Sequence, residues 1–221
     1  MKKVLRISAI SLGLIILAIV VLPFVFQGKI KDAVIREANK SLNATLGFNS
    51  VKLSLIRSFP DFSLRLKGLT IAGINEFEGD TLAAIPDLRL TIDLMSVFRG
   101  DSYKIKTVEM DHPVFRVSVL ADGMASYDIM KPSADTAAGP DEGESSFRAS
   151  IRRFSINDGT LVYDDASLGF RAEALHISHQ LSGDLTADFT DLVTETMIDE
   201  LTVAYEGIRY LSKVKAKLDS K

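Results

Sequence analysis

Hydrophobic and polar residues alternate along most of the chain after residue 48. The clearest runs are residues 62–67 and 88–94, in which every second residue is apolar. A period of two is typical of a β-strand with one apolar and one polar face. Four further segments repeat the pattern: residues 51–55, 115–119, 201–205 and 214–218. About a dozen strands fit the chain, and the pattern predicts a mainly β fold built on a long antiparallel sheet with one solvated side.

Short turn-forming sequences separate these segments. The sequence Ser-Phe-Pro-Asp occupies residues 58–61, and Asp-Gly occurs at residues 122–123 and 158–159. Such residues are favoured in tight turns. We therefore expect the chain to reverse direction at all three places.

The residues just before the first strand have a helical pattern instead. Ile30, Val34, Ala38 and Leu42 recur at steps of four, with charged residues between them. Gly47 is suited to a left-handed cap at the end of a helix. The pattern predicts an amphipathic helix over residues 27–47. This helix either packs its apolar stripe on the sheet or plugs one end of whatever the sheet encloses.

The first 26 residues predict a transmembrane signal anchor. Residues 7–26 contain no charged side chain, and a helix of about 20 residues spans the hydrocarbon core of a bilayer. Lys2, Lys3 and Arg6 precede this run, which places the amino terminus in the cytoplasm. A cleaved signal peptide is the alternative, although such peptides have a shorter apolar run and a small-residue cleavage site. The residues expected in the membrane are Ile7, Leu12, Leu14, Ile15, Ile16, Leu17, Ile19, Val20, Val21, Leu22, Phe24 and Phe26.

The charge is distributed unevenly along the chain. Residues 1–36 carry six basic side chains against Asp32, and the remainder is acidic enough to give a net charge of −3 overall. An acidic domain is a poor partner for nucleic acid, which requires clustered Lys and Arg. Cysteine is absent, which excludes disulfides and thiolate metal sites from this sequence.

Residues 131–146 form a low-complexity segment with four acidic residues and little apolar content beyond alanine. This composition predicts a flexible acidic loop. The loop divides the sheet region into residues 48–130 and 147–221.

A one-sided sheet of this length needs a cover for its apolar face, and the sequence contains no further set of amphipathic helices. The sheet can fold onto itself as a β-sandwich, close as a barrel, or curl into a trough that holds an apolar ligand. The alternation by itself favours the β-sandwich.

The sequence offers little support for catalysis. His112, His176 and His179 are the only histidines, and residues 176 and 179 would point to opposite faces of a strand, which disfavours a shared metal. No nucleophile elbow, phosphate loop or dinucleotide glycine pattern is present. We therefore expect a protein that is not an enzyme, with no catalytic residues, no metal and no cofactor.

The order of an anchor, an amphipathic helix and then the strands of residues 48–73 and 85–130 resembles the amino-terminal region of AsmA-like proteins. These are envelope proteins of Gram-negative bacteria related to TamB and YhdP. The strongest pieces are the sequence SFP at residues 58–60, the strand and short helix at residues 88–100, and DGT at residues 158–160. The resemblance covers nearly the whole chain.

The resemblance implies a single-pass inner-membrane protein whose amino terminus is cytoplasmic and whose bulk is periplasmic. It also implies a taco-like β-groove with a chorein-like start, which ranks the trough above the β-sandwich. Family members are generally longer, so we expect the chain to be the opening part of a longer protein.

The function implied is phospholipid transport and outer-membrane biogenesis, with acyl chains lying on the apolar face. Its partners would be phospholipid, the inner membrane and outer-membrane or other envelope proteins, and not nucleic acid. The alternative is an anchored periplasmic scaffold for outer-membrane protein assembly. The expected groove residues are Val51, Leu53, Leu55, Phe62, Leu64, Leu66, Leu88, Leu90, Ile92, Phe115, Val117 and Val119.

Overall fold

The computed structural model describes residues 35–36, 39, 42–54, 58, 61–93, 95–96, 103–131, 147–148, 151–183 and 192–220. Within them the fold is mainly β, as the alternation predicts. The strands are β1 (Thr45–Gly47), β2 (Ser50–Ser54), β3 (Phe62–Ala72), β4 (Thr81–Ile92), β5 (Tyr103–Asp111), β6 (Val114–Val119), β7 (Phe147–Arg148), β8 (Arg153–Asp165), β9 (Phe170–Ser182), β10 (Val193–Tyr205) and β11 (Ile208–Ser220). A short 3-10 helix, Asn75–Phe77, joins β3 to β4.

All eleven described strands belong to one sheet, whose main order is β1-β3-β4-β5-β8-β9-β10-β11. The described strands are therefore joined in one continuous hydrogen-bonded sheet. β2 pairs with β3, β6 pairs with β4 and β8, and β7 pairs with β5.

The sheet is mixed, which corrects the prediction of a purely antiparallel sheet. β8 runs parallel to both β5 and β6. β5 and β6 both pair with the same edge of β4, one after the other along the chain. His112 and the buried Pro113 separate them, and Pro113 has no amide hydrogen to donate to a neighbouring strand. The chain then returns so that β8 runs alongside both strands in their own direction, as parallel pairing requires a long connection.

The predicted helix over residues 27–47 lies mostly outside the described residues. Residues 35, 36 and 39 are helical, but residues 45–47 are not. They form β1, in which Gly47 pairs with Thr70 of β3, so the prediction that Gly47 caps a helix is wrong. The Asn39 side chain accepts a hydrogen bond from the Leu46 backbone at 3.0 Å, which ties the helical residues to this first strand.

Two of the three predicted turns are present. The Asp61 amide donates to the Ser58 carbonyl at 2.7 Å ahead of β3, and the Gly123 amide donates to Leu120 at 2.9 Å after β6. Asp158 and Gly159, however, lie in the middle of β8. Asp158 has a φ of 53°, and the register of β8 with β9 shifts at this point. The predicted turn is therefore a β-bulge.

That bulge is one member of a line that crosses the sheet, which we call the bulge row: Gly68, Pro86, His112, Asp158 and His176. Gly68 lies opposite Pro86, because Lys67 pairs with Asp87 and Leu69 with Ile85. The next strands place Asp111 against both Asp87 and Asn157, so His112 and Asp158 continue the line. All of these residues except Pro86 have a φ between 52° and 61°.

The bulge row changes which residues of a strand share a face. Leu66 and Leu69 are three positions apart and would point to opposite sides of a regular strand, yet both belong to one buried cluster. Ile85 and Leu88 of β4 do the same. β3 and β4 therefore each place two successive residues on the polar side at the row, and their residues of the buried cluster lie on one side both before and after it.

Candidate apolar binding face

One face of the sheet, on the side of the buried cluster, carries most of the apolar side chains of the strands, and the bulge row divides it into two halves. Residues that are paired across neighbouring strands lie on the same face of a sheet. The pairs between successive strands therefore identify the side chains of this face. The Leu88 half and the Phe115 half are named here after one residue in each.

The Leu88 half begins apolar and becomes polar toward β10. Its central row pairs Leu66, Leu88, Met110, Ile156, His179, Thr196 and Leu218 in that order. The imidazole Nδ1 of His179 lies 2.8 Å from the hydroxyl of Thr196, and its ring packs edge-on against Phe154. This pair interrupts the apolar surface between β9 and β10.

The Phe115 half has an apolar central row from β4 to β11, and its polar groups, Tyr163 and Asp165, lie beside Val117 and Val119. Its central row pairs Ala83, Phe115, Leu161, Ala174, Leu201 and Val214 in that order. No polar side chain occurs in this row. An apolar track therefore crosses the sheet on this side of the bulge row.

The exposure of the apolar face rises from one end of the sheet to the other. In the Leu88 half, Leu66 and Met110 are 7% and 9% exposed, whereas Leu218 on β11 is 61% exposed. In the Phe115 half, Ala83 is 7% exposed and Val214 is 37% exposed. The described residues thus leave the β10–β11 end of the face open to solvent.

The buried end of the face has partners of its own. Phe48 and Val51 are part of the cluster with Leu66, Leu69, Ile85, Leu88 and Met110. Ile35, from the helical residues ahead of β1, packs against this cluster. The face is therefore covered where the chain enters the sheet.

The structure brings most of the predicted groove residues together on this face. Val51 pairs with Leu66 and Leu53 with Leu64, while Phe62, Leu64 and Leu66 pair with Ile92, Leu90 and Leu88. The other three, Phe115, Val117 and Val119, pair with β8 in the Phe115 half. Leu55 lies outside the described residues.

The sequence prediction missed several residues of the same face: Leu69, Ile85, Val108, Met110, Phe154 and Ile156. Two of them lie beyond the bulge row on strands whose other half was predicted. The sequence does contain a signal for these two residues. The alternating apolar residues have even numbers in residues 62–66 and odd numbers in residues 69–71.

The opposite, polar side of the sheet carries a charged ladder centred on the buried Asp87. Arg65 Nε donates to Asp87 Oδ1 at 2.7 Å, and Lys67 Nζ donates to Oδ2 at 2.7 Å. The hydrogen bond from Arg65 outweighs the cost of burial, and together with that from Lys67 it holds the pKa of Asp87 well below its usual range. Arg89 continues the ladder to Asp111 at 3.0 Å.

Two of the histidines meet a single carboxylate on the bulge row. His112 Nε2 lies 3.2 Å from one oxygen of Asp158, and His176 Nδ1 lies 2.6 Å from the other. The hydrogen bond with Asp158 raises the pKa of His176. His176 is exposed while His179 belongs to the apolar face, as the spacing predicted. Among the described residues no group of three or more His, Asp or Glu is arranged to hold a metal ion.

The sequence pattern of the AsmA family matches residues 1–196. The chain belongs to the AsmA family. The comparisons with curated proteins and with solved structures give no match. Within the described part of this AsmA-family chain, no helix is long and apolar enough to cross a bilayer. The predicted anchor at residues 1–26 lies outside the described residues, as does the predicted acidic loop from residue 132 to 146.

Proposed function

We propose that this AsmA-family chain is an inner-membrane-anchored periplasmic protein that holds phospholipid acyl chains on its apolar face. Through that face it would contribute to phospholipid transport and outer-membrane biogenesis. The observation that carries the proposal is one apolar face that continues across the sheet and becomes open toward β11.

The physical contribution of such a face is the removal of acyl chains from water. Burial of apolar surface stabilises by about 25 cal/mol per Å², so an acyl chain lying along several strands gains several kcal/mol while its headgroup remains in water. The proposal requires no bond to be made or broken by the protein, and it assigns no catalytic residue.

The composition of the two halves indicates the route of the acyl chain. The central row of the Leu88 half contains the hydrogen-bonding groups of His179 and Thr196, whereas the central row of the Phe115 half, from Phe115 to Val214, contains only apolar side chains. Polar groups that face an acyl chain lose hydrogen bonds to water. The acyl chain should therefore follow the central row of the Phe115 half.

The bulge row supports a trough-like shape for this surface. A β-bulge bends its strand and increases the local twist. Bulges aligned across neighbouring strands would bend them all along the same line, which favours a curved sheet with the apolar face inside.

The membrane side of the proposal rests on the sequence. Residues 1–26 are the predicted anchor, and the helical residues that follow include Ile35, which packs on the buried end of the face. On this proposal the chain would enter from the membrane at the covered end of the face, and the open end would lie at β11.

A photocrosslinking experiment in intact cells tests this proposal. A benzoylphenylalanine placed at Val214 should form adducts with phospholipid, because Val214 is exposed on the apolar face. The matched control is Met197, which is similarly exposed but lies one residue from Thr196 and hence on the polar face. Val214→Asp should also lower the phospholipid that copurifies with the full chain, and Met197→Asp should not. Equal adducts at both positions would reject the acyl-binding face.

A periplasmic scaffold for outer-membrane protein assembly is the second candidate. The observation in its favour is that β11 pairs with β10 alone among the described strands. Stable capture of an envelope protein by the full chain, together with the absence of phospholipid adducts at Val214, would select it over the first.

A further inference from the structure

A cavity of about 690 Å³ lies at one end of the Phe115 half. One wall is the connection between β3 and β4, residues 73–77, and the other wall is the segment after β6, residues 122–129. Asn43 and Leu82 complete the lining. The volume is within the range of sites that bind small ligands, about 300–1,000 Å³.

Backbone hydrogen bonds hold both walls in place. The Gly73 amide donates to the Asp80 carbonyl at 2.9 Å, which closes the connection between β3 and β4. The Asn43 amide donates to the Ile129 carbonyl at 2.6 Å, which fastens the segment after β6 to the residues ahead of β1. The cavity is therefore built from fixed backbone, and a ligand would have to order little of the chain on binding.

One part of the lining is apolar. It consists of large side chains from both walls and from β4: Ile74, Phe77, Leu82, Met124, Tyr127 and Ile129. Phe77 and Tyr127 are aromatic, and the face of an aromatic ring attracts an organic cation. This part of the lining therefore suits carbon-bound groups, including those next to a positive charge.

The other part of the lining is acidic. Glu76 lies in the first wall, and Asp122 and Asp128 lie in the second. None of these carboxylates forms an ion pair in the described part of the structure, and the sequence has no Lys or Arg in residues 68–88 or 117–130. On the polar side of the sheet, by contrast, Asp87 is paired with cations. The cavity thus carries negative charge that a cationic group on a ligand would neutralise.

A bare metal ion does not suit this lining. A hard divalent cation requires six or more oxygen ligands in close geometry, and no group of three or more described His, Asp or Glu is arranged to hold a metal. An organic ammonium group matches both the carboxylates and the apolar side chains.

The cavity adjoins the apolar track of the Phe115 half. Leu82 in its lining is followed by Ala83, the first residue of the central row. Ala125, also in the lining, forms an antiparallel bridge with Val119 of the same half. A ligand whose apolar part lies on the central row would therefore have its polar end at the cavity.

We propose that the cavity binds the ammonium group of a phospholipid headgroup whose acyl chains lie along the central row of the Phe115 half. Glu76, Asp122 and Asp128 select the positive charge, and Phe77 and Tyr127 contact it through their rings. A headgroup that is only anionic finds no cation in the lining and is disfavoured. The inference rests on the proposed acyl binding and adds the class of lipid.

A comparison of two lipids tests the inference. The full chain in detergent is titrated with phosphatidylethanolamine and with phosphatidylglycerol, each carrying the same fluorophore on an acyl chain, and binding is followed by anisotropy. Phosphatidylethanolamine should bind at least about fivefold more tightly, because three exposed carboxylates each contribute modestly to attraction of the ammonium group. The preference should shrink as the salt concentration rises.

Neutral variants of the same shape identify the groups responsible. The triple variant E76Q, D122N and D128N should lose the preference and keep its affinity for phosphatidylglycerol or gain some. Asn at position 122 retains an oxygen that can accept the hydrogen bond from the Met124 amide.

The matched control is the triple variant E78Q, D80N and E206Q. It removes three exposed charges from the same end of the sheet, but none of these residues lines the cavity. The control should keep the preference of the parent. Its loss in the control would assign the preference to the general charge of this end and overturn the inference.

Crosslinking at Val214 separates this inference from the proposed function. Adducts with phospholipid at Val214, together with equal affinities for the two lipids, would overturn headgroup selection and leave acyl binding standing. Failure of the parent to bind either lipid would reject both. Displacement of labelled phosphatidylethanolamine by free ethanolamine at an equal concentration would assign the cavity to free amines and overturn its assignment to a lipid.

Discussion

Replacement of Asp87 by Asn tests whether the charged ladder stabilises the sheet. The side chain of Asp87 is 7% exposed and accepts hydrogen bonds from Arg65 and Lys67. An amide of the same shape keeps the packing but leaves these cations beside a neutral group. Removal of one partner from a buried ion pair costs about 3–5 kcal/mol. Because Arg65 and Lys67 are about 40% exposed and can regain water, we expect about 1–3 kcal/mol here.

The effect should depend on pH in a defined direction. Asp87 has a pKa below that of an unfolded Asp, so its ionised form stabilises the folded state. That stabilisation is complete above the unfolded pKa of about 3.9 and is lost as the pH falls below it toward the folded pKa. The difference in the free energy of unfolding between the parent and Asp87→Asn should therefore be largest near neutral pH and shrink in acid.

Urea denaturation of the full chain in detergent at a series of pH values measures this difference. The control is Asp164→Asn, because the side chain of Asp164 is 49% exposed in its pair with Arg171 and exposed pairs contribute little. The reasoning fails if Asp87→Asn is no less stable than the parent at pH 7. It also fails if the two proteins differ by the same amount at pH 3 and at pH 7.

Two further predictions concern the bulge in β8, at Asp158 and at the neighbouring Gly159. Gly159→Ala should destabilise the chain by about 1–3 kcal/mol, because the added Cβ would lie 2.6 Å from Ile156 Cγ2. The control is Gly47→Ala, whose added Cβ makes only an ordinary contact, and it should have a smaller effect in the same urea titration. Equal effects of the two substitutions would contradict the prediction. Asp158→Asn should lower the pKa of His176 toward its ordinary value in an NMR titration, since the carboxylate hydrogen bond is the main cause of the raised pKa; an unchanged pKa would show that another group is responsible.

The sequence predicts the class of structure because alternation acts locally. The faces of Phe62, Leu64 and Leu66 follow from a period of two, and β3 and β4 carry the predicted apolar sides. What alternation does not encode is the partner of each strand. β8 lies parallel to β5 and β6 because of where the chain returns after residue 131, and that depends on contacts distant in sequence.

The Asp158–Gly159 pair shows a second limit. A two-residue hairpin turn of the Asn-Gly or Asp-Gly type requires positive φ values, and so does the residue that begins many bulges. The same dipeptide therefore fits both structures. β8 continues to Asp165 because its residues on both sides of the bulge pair with β9, and these long-range pairs decide between the two.

The missed groove residues have the same origin. Strict alternation along a strand would place Leu69 on the other face of the sheet from Leu66, and Ile85 on the other face from Leu88. The prediction therefore included only the residues in one half of β3 and of β4. The phase change at Gly68 and Pro86 is visible in the sequence. Its interpretation requires knowing that neighbouring strands change phase at the same level, which only the register provides.

The alignment of these phase changes is what keeps the apolar face continuous. A change of register by one residue moves every later side chain to the other side of a sheet. Suppose that β3 and β4 changed phase at positions that are not paired with each other. Between those positions, one strand would expose apolar side chains to water and the other would place polar side chains in the cluster. The row from Gly68 to His176 avoids this, and its polar side is occupied by charged and hydrogen-bonding groups such as Asp87 and Asp158. The bulge row thus keeps the clustered apolar side chains of β3 and β4 on one side of the sheet, and it places paired charges such as Asp87 and Asp158 on the other.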